Sequence, residues 1–203
     1  MVSQVSESRP RPPIKVDPSS NRAHDIEMRK VNSPEVLARL SARASLDRHV
    51  DPRLIDAVKA PGNLYLLTLN DAQSFLSLIW QEIDPTRLLT PRGQPRTLLD
   101  VAGRMVKNKW TFSSLCRPMG LMPTCHDPAA FESFEKLNTG FDINKFDFIA
   151  VTPATDSEKL QSPSGTYYIY DGVHKSLVLA YRILNGQSIY QPVEALLMTP
   201  RRD

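Results

Sequence analysis

Asp171, Gly172, His174 and Lys175 stand together where the apolar β-type run TYYIY gives way to the helical pattern VHKSLVLAYRIL. A carboxylate, an imidazole and an ammonium this close can bind an anion and act on it. His174 can donate to a phosphate or move a proton near neutral pH, Lys175 supplies fixed positive charge, and Asp171 can orient the imidazole or hold a divalent cation. A strand that turns into a helix adds to this chemistry. The backbone N–H groups of Val173, His174 and Lys175 have no intrahelical partner, the hydroxyl of Ser176 lies on the same first turn, and the helix dipole puts partial positive charge at that point. Gly172 lets the backbone turn tightly and approach a ligand. The expected ligand is a phosphate. The same residues have a plainer reading, in which Asp171 caps the helix, Gly172 makes the turn, and His174 and Lys175 face water.

The elements that position this turn read as follows. Residues 1–24 carry Pro10, Pro12, Pro13 and Pro18 among Ser, Arg and Lys and read as a disordered arm. Residues 25–82 read as a helical N-terminal extension. Ser33-Pro34 and Asp51-Pro52 each place a cap and a first-turn proline before an amphipathic helix, Asn63–Leu69 reads as a short buried strand, and Asp71 caps a third helix with Phe75, Leu76, Ile79 and Ile83 on its apolar side. From residue 83 to 110 a Pro- and Arg-rich connection leads into a helical pattern of Leu98, Leu99, Ala102, Met105 and Val106. Its cations Arg92, Arg96, Arg104, Lys107 and Lys109 form either a solvated face or an anion-binding edge. Residues 111–145, broken by Pro118, Pro123 and Pro128, read as an insertion with a short helix at Phe131–Leu137. Then come a strand at Phe146–Val151, a polar loop, a strand at Tyr167–Tyr170, a helix at 173–184 stopped by Asn185-Gly186, and a last strand at Pro192–Met198. Strands and helices in this order predict an α+β core.

Composition bounds the class. Apolar residues make up 41% of the 203, enough for a core, and no run approaches the roughly 18–20 consecutive apolar residues of a membrane span. The reading is a soluble, cytoplasmic chain with no membrane partner. A net charge of +3 permits contact with nucleotide or nucleic acid without requiring it. Cys116 and Cys125, the two cysteines, offer no disulfide framework. With His126 and Asp127 they lack the spacing of a zinc site, so no metal is assigned to them. Of the three strand tyrosines, Tyr168 and Tyr170 alternate to one face and Tyr167 to the other, for core packing or for stacking on a base.

The run YYIYDGVHKSLVLAYRILNG followed by QPVEALLM, with Pro85-Thr86-Arg87-Leu88 and Gln94-Pro95-Arg96 upstream, resembles the nucleotide-binding core of the ParB/sulfiredoxin superfamily over residues 83–200. The resemblance implies a small α+β fold that holds a nucleoside triphosphate, ATP or another, at the strand-to-helix turn, with Mg²⁺ as a further expected ligand. Val173 stands where sulfiredoxins have a catalytic cysteine. Few residues follow Met198, where a partition-type member has a helix-turn-helix domain. Lys175 replaces the superfamily's arginine, keeping the charge and losing the planar fork. Within the superfamily the chain is most similar to the small plasmid fertility-inhibition proteins of the oncogenic-suppression type, which implies ATPase and DNase activities. The expectation is a nucleotide-dependent hydrolase that interferes with DNA or nucleoprotein transfer, its partners being nucleotide, DNA and a secretion or conjugation protein. Asp171 and His174 would be catalytic, and Gly172, Val173, Lys175, Ser176, Arg96 and Arg104 would hold phosphate. The alternatives are a non-catalytic nucleotide-binding interaction protein and a ParB-like nuclease toxin or effector.

Overall fold

A computed structural model describes residues 26–44, 50–80, 88–91, 93–117, 127–143, 146 and 148–200. The arm expected at 1–24, Ile83, Arg92, Cys125 and His126 lie outside the described residues. The described chain is a mixed α+β fold on one five-stranded sheet, with strands β1 (Ile26–Val31), β2 (Gly62–Leu69), β3 (Ile149–Pro153), β4 (Tyr167–Asp171) and β5 (Val193–Pro200) in the order β1-β2-β5-β3-β4. β5 runs antiparallel to β2 and parallel to β3, while β1 with β2 and β3 with β4 are antiparallel pairs. No described helix is long and apolar enough to cross a membrane.

Period-two alternation divides the strands between two apolar layers. Leu67, Leu69, Ile149, Val151, Val193, Ala195 and Leu197 face the larger cluster. It is completed by α3 (Ala72–Leu76), α4 (Leu98–Lys107), α5 (Phe112–Leu115), α6 (Glu132–Thr139) and α8 (Val173–Leu184). Leu64, Ala150, Leu196 and Met198 face the opposite way, onto Val36 and Leu40 of α1 (Ser33–Ala44) and Leu54 and Val58 of α2 (Pro52–Lys59). Because both faces are covered, the inner strands are apolar on both sides.

Several helix starts follow the residue types. Asp51 Oδ1 accepts from the Arg53 N–H at 2.9 Å with Pro52 in the first turn, and Asp71 Oδ1 accepts from the Ser74 N–H at 2.7 Å. Thr97 and Asp100 form a reciprocal capping box on α4. At α1 the cap is Asn32, whose Oδ1 accepts from the Glu35 N–H at 2.9 Å. Ser33, expected to cap, instead donates its hydroxyl to the Val58 carbonyl at 2.8 Å and ties α1 to α2.

The stretch expected as a helical extension at 25–82 holds the three helices and the expected strand at Asn63–Leu69, here β2, together with a strand the sequence reading lacked, β1; both strands belong to the common sheet. α3 stops after five residues because residues 74–80 are buried on every side, so apolar spacing does not set their conformation. Ile79 leaves the helix to bridge β4, donating its N–H to the Tyr167 carbonyl at 2.8 Å and accepting from the Ile169 N–H at 3.0 Å. A further helix, α7 (Asp156–Gln161), lies in the loop expected at 152–165; it buries no residue, and its Thr155–Glu158 capping box is its one sequence signal. The described residues of the stretch expected as an insertion at 111–145 are built into the core. Phe134 of α6 stacks on Phe112 of α5 at 5.5 Å between ring centroids, and meets Phe131 at 6.0 Å and Trp80 at 6.4 Å, all four fully buried. Phe134→Ala removes the hub of this aromatic group and is expected to cost about 3–5 kcal/mol of stability, read from urea unfolding.

Candidate functional site

The turn from β4 into α8 is shaped by one glycine and one bulge. Gly172 has φ +86°, in the left-handed region, and is the N-cap of α8; no side chain caps the helix there. Asp171 is therefore not the cap of the plainer sequence reading. The first intrahelical bond is from the Ser176 N–H to the Gly172 carbonyl at 2.9 Å, which leaves the N–H groups of the first turn outside the helical ladder. A Cβ on residue 172 would stand 2.8 Å from Ile149 Cγ2 and 2.9 Å from Lys175 Cε, so the turn is closed as well as left-handed.

The bulge decides where Asp171 points. Val151 pairs with Ile169 while Ala150 pairs with Asp171, so Tyr170 is an extra residue on β4. Ile169 faces the larger core, and the extra residue sends Asp171 to the opposite side, that of Ala150 and α1. There its Oδ2 lies 3.5 Å from Arg43 Nη1 of α1, with side-chain exposures of 20% for the aspartate and 11% for the arginine. His174 is on the other side, its ring edge-on to Phe134 of α6 at 4.4 Å and 80°. The two residues expected to form a catalytic pair thus take partners on opposite faces of the sheet, and no hydrogen bond joins them.

His174 is exposed overall, but one side of its ring rests on Phe134, and this desolvation lowers its pKa below 6.5. Its imidazole is accordingly neutral near pH 7, able to accept a proton and poorly suited to anchoring an anion by charge.

Two of the three expected phosphate-binding cations, Lys175 and Arg104, are engaged with carbonyls. Lys175 Nζ donates to the Phe148 carbonyl at 3.0 Å and stands 5.3 Å from the centre of the Phe146 ring. Arg104 donates through Nε to the Leu89 carbonyl and through Nη1 to the Pro95 carbonyl, both at 2.9 Å, and burial lowers its pKa from the ordinary arginine value. The Ser176 hydroxyl donates back to the Gly172 carbonyl at 2.8 Å and is buried, so its oxygen is not presented to the turn's outer side. Arg96 is stitched in by its main chain, its N–H to Ser162 Oγ at 3.0 Å and its carbonyl to the Trp80 N–H at 2.9 Å. Trp80 also donates its indole N–H to the Val173 carbonyl at 3.1 Å, so the Gln94-Pro95-Arg96 segment and the α8 turn are joined through this one buried side chain.

Arg43, Trp80 and Phe134 are the residues that sequence reasoning missed. Arg43 reads as an ordinary cation in the last turn of an amphipathic helix, and the two aromatics read as core; only the fold brings them to the turn.

Among the described residues no group of three or more His, Cys, Asp and Glu side chains is placed to hold a metal. Asp127 caps the 3-10 turn Pro128–Phe131, accepting from the Ala129 N–H at 3.0 Å, and the Cys116 thiol is pushed up in pKa by burial and by Glu135 and Glu132. The Tyr170 hydroxyl reaches the Arg53 carbonyl at 3.5 Å, while Tyr167 packs against the larger core. A groove of about 360 Å³ lies toward the far end of α8, lined by Arg182, Ser188 and Ile189 among others, away from the turn. Comparison of the chain with family models, with curated proteins and with solved structures finds no match.

Two outcomes follow for the turn. Gly172→Ala is expected to lower stability by about 1–3 kcal/mol through the left-handed backbone and the close approach to Ile149, measured by thermal or urea unfolding. For His174 the folded value lies below the unfolded one, so the unfolded chain takes up the proton first as pH falls. The stability tied to its neutral form is present above 6.5 and is lost as pH drops through the lower folded value. Urea midpoints taken from about pH 8 to about pH 5 should therefore fall more in the native chain than in His174→Asn, and equal slopes would remove the effect assigned to Phe134.

Proposed function

We propose that this protein binds a phosphate-bearing nucleotide at the β4–α8 turn and acts as a nucleotide-binding interaction protein, without hydrolysis by an Asp171–His174 pair. The observation that carries the reading is the start of α8: a left-handed Gly172, no side-chain cap, and first-turn N–H groups outside the helical ladder. The resemblance to the ParB/sulfiredoxin superfamily supports a nucleoside triphosphate as the ligand class. The separation of Asp171 from His174 favours binding over turnover. A divalent cation held by Asp171 does not fit the residues present, because the single carboxylate at the turn faces Arg43, and no step is assigned to Mg²⁺.

A second reading keeps the hydrolase of the ATPase/DNase type that blocks nucleoprotein transfer. The neutral, exposed imidazole of His174 on the first turn favours it, since such a group can accept a proton from an attacking water beside a phosphate held by the N–H groups.

The test is a melting panel of purified protein with ATP, CTP, GTP, UTP and inorganic triphosphate, together with ATP turnover and plasmid nicking. Binding predicts stabilisation by about 2.7 kcal/mol at a hundredfold excess over Kd for the preferred ligand, with no turnover above background. Turnover that His174→Ala abolishes while leaving the melting shift in place would establish the second reading. No stabilisation by any of these ligands sinks both.

A further inference from the structure

The two outer strands of the sheet are treated differently. β4 has its free side bridged by Ile79, through the bonds to Tyr167 and Ile169. β1, at the other end, pairs only with β2 among the described residues, so half of its backbone N–H and C=O groups point outward with no strand beside them. Such an edge is a template for another strand, and charged side chains are the usual guard against it. β1 is charged, with Glu27, Arg29 and Lys30 exposed, but the order of signs selects a partner.

A second copy of β1 added antiparallel, across a two-fold axis perpendicular to the sheet, keeps corresponding faces together, so paired residues must be an even number apart. With the axis at Glu27, Arg29 or Lys30, identical charges meet head on. With the axis at Met28, Glu27 of each copy lies opposite Arg29 of the other, on the α1 side of the sheet. In that register Met28, 60% exposed and one of four large apolar side chains left exposed in the described chain, is covered by Met28 of the second copy. Arg29 already holds Glu35 at 2.8 Å, yet its side chain remains 60% exposed and can receive a second carboxylate. Charge and apolar cover thus agree on one register.

We propose that two copies of this chain pair antiparallel through β1 with the two-fold axis at Met28, joining their five-stranded sheets into one. The occupant of the edge is a second copy because the complementarity is internal to six residues. Sedimentation velocity of the full chain over a dilution series tests this, with circular dichroism to confirm that each variant is folded. The expected result is a reversible dimer that Glu27→Arg alone and Arg29→Glu alone each weaken at least tenfold, both placing like charges opposite one another, and that the double reversal restores toward the native Kd. A native chain that stays monomeric up to its solubility limit overturns the proposal. A dimer indifferent to the single reversals, or not restored by the double one, places the contact elsewhere and overturns it equally; a heterologous strand on this edge would show as a monomer whose β1 amides become protected from exchange only with that partner.

Discussion

Among the described residues β5 alone links the two halves of the sheet, and its pairing on both sides constrains everything around it. It meets β2 over its whole length, from Gly62 opposite Pro200 to Leu69 opposite Val193, and β3 at Ile149–Val151. Its parallel relation to β3 cannot be made by a hairpin. After β3 the chain returns along β4, and α8 must then cross the larger face to deliver β5 on the far side of β3. That passage is why Leu177, Val178, Leu179, Ala180, Tyr181 and Ile183 are all buried, and why α8 starts at the outer strand β4. The chemistry-bearing turn sits where it does because the crossover begins there.

The bulge at Tyr170 gives that turn two sides. In a regular ladder Asp171, two residues after Ile169, would share its face and the layer that contains His174; with the bulge, the aspartate belongs to the α1 layer and answers Arg43. The smaller layer is thus coupled to the turn by charge, and the larger layer by the Trp80 and Phe134 contacts.

What the sequence made legible follows from how each element is stabilised. α8 begins and ends where the Asp171-Gly172 and Asn185-Gly186 signals put it, because local turn chemistry and an apolar stripe agree there. β1 went unread because its middle residues are exposed and charged, and only Val31 at its end is buried; an edge strand of this kind shows no alternation. α7 buries nothing and shows no period. α3 was read too long because a segment buried on all sides satisfies helical spacing without being helical. The side on which Asp171 lies was beyond reach, since period-two counting holds only while the ladder is regular, and one inserted residue inverts it.

The cations that marked the site in the sequence do other work in the fold. Lys175 donates to the Phe148 carbonyl beside the start of β3, and Arg104 to the Leu89 and Pro95 carbonyls in the segment before α4. A hydrogen bond to a charged donor is worth about 1.5–3 kcal/mol, so recruiting either group to a phosphate would first have to offset that loss. Under the proposed reading, affinity for an anion at this turn would therefore rest on backbone donors and the dipole of α8, which need no rearrangement. A phosphate bound there as proposed would be recognised by geometry more than by net charge. Lys175, a point charge turned inward to the Phe148 carbonyl, ties the turn to the start of β3, where the planar fork of an arginine would reach outward.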